Sequence, residues 1–146
     1  MMSPPKNREG PHSVEARWTQ RLATQFVPIS TYFLLNYHRL KPHDNAKGMS
    51  NSEAMLLIQL IVHKWGAARP YPSQETLATR MGVSSRRIRQ ILKSLKDTGY
   101  LAWDQRAYNS NMYDLTPLYD ALERLMDEDE SMNELVDTLI SKEVTS

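Results

Sequence analysis

Cysteine is absent from the 146 residues, which excludes disulfide staples and thiolate metal sites and fits a reducing compartment. Glycine is scarce: the five glycines are scattered and none leads a Gly-Lys-Ser or Gly-Lys-Thr ending, so the sequence holds no phosphate-cradling loop. The histidines His12, His38, His43 and His63 lack the helical spacing that brings two rings to one metal. The acidic run from Asp127 to Glu130 has no rigid loop to aim its carboxylates and reads as a solvated face. No set of residues combines nucleophile, acid and base, so the expectation is no catalytic residue, no metal, no cofactor and no enzyme activity. Long apolar runs are missing too. The densest, Ala54 to Val62, is interrupted by Gln59 and is far shorter than a bilayer requires. The opening MMSPPKNREG lacks the apolar core of a secretory signal, and a cytoplasmic protein without membrane contact is expected.

Net charge is also nearly absent, at +1, but this average hides a segregation. From Lys64 to Arg106 nine Lys or Arg stand against three acids, whereas from Asp114 onward ten acids stand against two bases. The basic middle suits phosphate contacts. The acidic end would be repelled by DNA and belongs away from it.

What is present is a pair of short helices joined by a tight turn, from Pro72 to Leu101. Ser73 is placed to cap the first helix, Glu75 lies where the helix dipole favours an acid, and Leu77, Ala78 and Met81 form its apolar stripe. Gly82 follows where a helix stops in the left-handed conformation, Val83 is expected to tuck inward, and Ser84 caps the next helix. That second helix, from about Ser85 to Thr98, carries Ile88, Ile91, Leu92 and Leu95 at the spacing of one buried stripe. At 100° per residue, Arg86, Gln90, Lys93 and Asp97 lie opposite the stripe, with Ser85, Arg89 and Lys96 on one flank and Arg87 on the other. A cationic helix rich in forked donors fits the major groove, where Arg reads guanine and Gln reads adenine. The pair reads as a helix-turn-helix with a recognition helix.

The run GVSSRRIRQILKSLKDTGYL resembles the recognition half of winged helix-turn-helix DNA-binding domains. With AARPYPSQETLATRMGVS before it and SNMYDLTPL after it, the stretch from Phe26 to Leu125 is similar to the branch found in plasmid and phage replication proteins and small prokaryotic regulators. The resemblance implies a mainly α fold with a small β-wing and double-stranded DNA as partner.

The remaining segments are read around this motif. Residues 1–24 have few apolar groups and are expected to form a flexible tail, with Trp18 as its one candidate anchor. Residues 25–126 are expected to form the winged domain. In it, Ser30 to Leu40 reads as a helix with Phe33, Leu34, Tyr37 and Leu40 inward, and Ser50 or Ser52 starts a central helix that Gly66 ends. Tyr100 to Trp103 and Met112 to Leu115 read as the wing strands, joined by the polar turn Asp104 to Asn111. Thr116 and Pro117 suit an N-cap and first helical position. Leu118, Leu122, Leu125, Met132, Val136 and Leu139 then advance by alternating fours and threes, provided that Asp129 stands where an apolar residue is missing. This pattern suits one long helix or two broken near the acidic run; the favoured reading is a packed helix to about Met126 and a second amphipathic piece from about Met132, within the acidic segment 127–146, that seeks a protein partner or its own copy.

The expected base-reading residues are Ser85, Arg86, Arg89, Gln90 and Lys93. Those expected on the DNA backbone or in the minor groove are Ser73, Arg87, Lys96, Arg106, Tyr108 and Asn109. Sequence-specific binding for transcription regulation or replication initiation is the leading expectation. A protein-interaction module whose basic face meets an acidic partner is the alternative.

Overall fold

The computed structural model describes residues 13–40, 48–64, 66, 68–104 and 111–145. Among them run helices α1 (Val14–Arg17), α2 (Thr31–Asn36), α3 (Asn51–Val62), α4 (Gln74–Met81) and α5 (Ser85–Asp97), strands β1 (Ala102–Asp104) and β2 (Met112–Asp114), and helix α6 (Thr116–Thr145). Helices α3, α4 and α5 pack on one another. Each starts with a serine cap: Ser50, Ser73 and Ser84 accept backbone N–H groups of Glu53, Thr76 and Arg87. Such caps satisfy donors that the helix itself leaves unpaired, each contributing about 1 kcal/mol.

The core lies where these three helices meet. Leu56, Leu57, Leu60, Leu77, Ile88 and Leu95 are fully buried, and Phe33 of α2 and Leu118 of α6 close it from the sides. Gly82 has φ +67°, the left-handed conformation that ends α4 and turns the chain into α5. The Gly48 backbone lies so close to the His38 carbonyl that a Cβ would collide with it, while Met49 N–H donates to the Leu40 carbonyl at 3.0 Å. These contacts bind the start of α3 to the end of the α2 region.

The wing is an antiparallel pair with Trp103 opposite Tyr113. Their rings meet edge to face at 5.7 Å. Tyr113 N–H also donates to the Pro70 carbonyl at 2.9 Å, joining the segment before α4 to the wing. Arg69 bridges both strands through Asp104 at 3.1 Å and Asp114 at 3.4 Å.

Several expectations need correction. Leu34 and Val83 are exposed, not inward. Gly66 does not end α3, whose last turn closes at His63. Tyr100 and Leu101 are buried in the turn after α5, where their N–H groups reach the Leu95 carbonyl, so β1 begins only at Ala102. Thr116 already belongs to α6, and the Asp114 carboxylate accepts its N–H at 2.9 Å.

The largest difference is α6, which runs unbroken through the acidic residues. Asp129, the gap in the apolar pattern, accepts two hydrogen bonds from Arg39, at 2.8 and 3.0 Å, and one from the Tyr32 hydroxyl at 2.6 Å. The charged position therefore continues the contact with the body of the protein by other means. The Arg39 and Tyr32 hydrogen bonds hold its carboxyl down at about 2.

Candidate nucleic-acid interface

The sequence of α5 sorts its two sides completely. Ile88, Ile91, Leu92 and Leu95 are at most 2% exposed, while Arg86, Arg87, Arg89, Gln90, Lys93 and Lys96 are all exposed and Ser85 is half-buried. Burial of one side fixes the rotation of the helix and with it the direction in which the donors project. Its position along the axis is fixed by a second contact. Ser94 Oγ donates to Glu53 Oε2 at 3.0 Å, and Glu53 Oε1 accepts the Ser50 N–H at 3.0 Å while the Glu53 N–H donates to Ser50 Oγ at 3.2 Å. One carboxylate thus completes the capping box of α3 and holds the middle of α5.

The exposed cations differ in freedom. Lys93 pairs with Asp97 at 2.9 Å, and that hydrogen bond raises its pKa. Its charge is partly spent within the helix. Lys96 Nζ lies 4.7 Å from the centre of the Trp103 ring, a cation–π distance that leans it towards the wing. Between these groups opens a cleft of about 360 Å³, lined by Gln74 from the start of α4, Arg89, Leu92, Lys93, Lys96 and Asp97 from α5, and Trp103 from β1. Three separate elements thus line one concavity.

Ser73 stands at the α4 N-terminus beside Gln74, but its hydroxyl is engaged with Thr76, accepting the backbone N–H at 3.0 Å and donating to Oγ1 at 2.9 Å. Arg106, Tyr108 and Asn109 lie outside the described residues. Sequence reasoning missed three members of this region. Gln74 carries the same forked amide as Gln90 and sits one residue after a cap, which is the signal that would have found it. Trp103 and Arg69 gave no such signal, because their roles depend on pairing across the wing. Arg69, one of the nine cations of the basic middle, pairs with Asp104 and Asp114.

Residues 47–101 match the family model described as a helix-turn-helix domain. No curated protein matches the chain in sequence. Among solved structures, the N-terminal domain of the DnaD protein from Geobacillus kaustophilus HTA426 is similar, with a TM-score of 0.60 and 21% identity over 81% of this chain and 94% of that one. No helix among the described residues is long and apolar enough to cross a membrane. The capped α4 and α5, the left-handed turn at Gly82 and the strand pair behind them make this a winged helix-turn-helix, with the helix-turn-helix domain at residues 47–101.

Proposed function

We propose that the chain binds duplex DNA with α5 in the major groove and reads its sequence there. The observation that carries this reading is the complete division of α5 between a buried apolar stripe and an exposed row of Arg86, Arg89, Gln90 and Lys93. Arg86, Arg89 and Gln90 have the forked donors that suit base edges, with Ser85 and Lys93 at the groove margin. Arg87 and Lys96 serve the phosphates, and Ser73 with the α4 N-terminus does so through backbone N–H groups. Arg106, Tyr108 and Asn109 of the wing turn extend the same contact to the neighbouring minor groove or backbone. The role is binding, not catalysis, in the cytoplasm and at the nucleoid. The acidic distal half of α6 faces away from the nucleic acid.

The resemblance to plasmid and phage replication proteins favours an origin-binding role over a promoter-binding one. Reading direct repeats would accompany the first and an inverted repeat the second. The test is duplex binding measured by fluorescence anisotropy across a salt series. With about five phosphates neutralised, log affinity falls against log salt with a slope of about −5. A slope near zero contradicts a DNA-facing α5.

A further inference from the structure

The cleft between α4, α5 and the wing is lined by three cations, Arg89, Lys93 and Lys96, and one acid, Asp97. Its two lysines are held in different ways. Lys93 pairs with Asp97 at 2.9 Å, so a carboxylate restrains it and offsets its charge. Lys96 has no ion pair among the described residues, and its Nζ lies 4.7 Å from the centre of the Trp103 ring. A ring face attracts a cation through its quadrupole but carries no net charge. It therefore restrains the ammonium without neutralising it.

The ring is itself held in place. Trp103 stands opposite Tyr113 in the strand pair, and the Tyr113 N–H donates to the Pro70 carbonyl at 2.9 Å, away from β1. Trp103 and Tyr113 thus form a non-hydrogen-bonded pair, the class in which antiparallel side chains come closest. Tyr113 is 1% exposed and Pro70 is fully buried, so the indole rests on a packed base. Lys96 follows the fully buried Leu95 in the last turn of α5, which fixes the root of its side chain. Root and tip are both placed, yet the residue stays exposed.

Lysine is among the side chains that lose most rotamer freedom when ordered. One that is ordered beforehand loses less on binding. The ring takes up one side of an ammonium that has three N–H donors, which leaves donors for an anion in the cleft. We infer that Trp103 is a positioning residue that presents Lys96 to a DNA backbone phosphate seated in this cleft. The inference rests on the duplex binding proposed above and adds a wing residue that acts through Lys96.

Phosphate contacts carry no sequence information, so the probe is a fluorescein-labelled duplex of random sequence, bound by the full chain at low salt. Trp103→Leu should raise the dissociation constant about two- to fivefold, the worth of an exposed cation–π contact. Trp103→Phe, which keeps an aromatic face, should retain most of the native affinity. In the Lys96→Ala background, Trp103→Leu should cost nothing further. Equal losses for Leu and Phe, additive losses in the double variant, or unchanged or tighter binding by Trp103→Leu overturn the inference, while a native salt slope of about −5 keeps the duplex reading intact. A native slope near zero removes both. A second readout needs no variant to fold. The Lys96 ε-methylene protons of the native chain should be shifted upfield by the indole in nuclear magnetic resonance spectra and stay so after duplex is added, and loss of that shift on binding overturns the inference as well.

Discussion

Helix α5 and the distal half of α6 carry the same sequence pattern and meet different fates. Ile88, Ile91, Leu92 and Leu95 recur at the spacing i, i+3, i+4, i+7, and so do Met132, Leu135, Val136 and Leu139. The first set is at most 2% exposed and the second 44–59%. The periodicity dictates that a helix has an apolar face. What covers that face is decided by length and position: α5 is held at both ends by neighbours, whereas α6 outruns the body. Their polar sides differ as well. Arginine and lysine face outward from α5, and Glu130, Glu134 and Asp137 from α6, so one helix suits a polyanion and the other does not.

The comparison breaks most sharply at the apolar stripes. Leu95→Ala should cost about 2–5 kcal/mol of unfolding free energy, the range for truncating a packed core leucine. Leu139→Ala in dilute solution should change it by no more than about 0.5 kcal/mol, as for an ordinary surface site. Urea denaturation of both variants checks the contrast, and equal losses would mean that the distal stripe is packed within its own chain.

On the polar side, Arg86→Ala or Arg89→Ala should remove about 1–3 kcal/mol of discrimination between a preferred duplex and a random one. Lys96→Ala should instead weaken both duplexes alike and lower the magnitude of the salt slope by about 1. Competition binding at two salt concentrations distinguishes these outcomes. A smaller effect is expected at the tether between α3 and α5. Glu53→Ala removes the capping box and the acceptor for Ser94, and should destabilise by about 1 kcal/mol. Thermal unfolding should register this, and a larger loss of DNA affinity than of stability would show that Glu53 aims α5 as well as holding it.

The smallest effect concerns the joint between the two halves of α6. The carboxyl of Asp129 is depressed to about 2 by hydrogen bonds from Arg39 and Tyr32. A depressed carboxyl contributes stability that is present above its unfolded value near 4 and is lost as pH falls through its folded value near 2. The native chain should therefore lose helix between about pH 4 and pH 2 more steeply than Asp129→Asn, which has no such titration. Circular dichroism across that window measures the difference, and identical profiles would show that the bidentate pair contributes nothing in solution.

How far the sequence disclosed these features follows from the range of the interactions. Capping by Ser73 and Ser84, the turn at Gly82 and the stripe of α5 are local, each settled within a few residues, and all were legible. Gly66 misleads because a glycine after a helix suggests its end, whereas α3 closes earlier at His63. Val83 misleads because an apolar residue in a turn suggests an inward position that the geometry does not provide. The pattern leaves the unbroken α6 open yet favours a break, for a different reason. The acidic run suggests a break, but Asp129 within it has its partners Arg39 and Tyr32 90 and 97 residues away. The same blindness hid the Glu53 to Ser94 tether and the Arg69 clamp, which periodicity cannot register. The candidate interface was accordingly legible as the exposed side of α5, and illegible where Gln74 and Trp103 join it across the fold.

The account rests on α5 as a reader of DNA sequence, and in vitro selection from a random duplex library tests this most directly. It should be run in parallel on the native chain and on the Arg86→Ala, Arg89→Ala double variant. The account predicts an enriched motif for the native chain that the variant loses. No enrichment by the native chain, or the same motif from both, would contradict it.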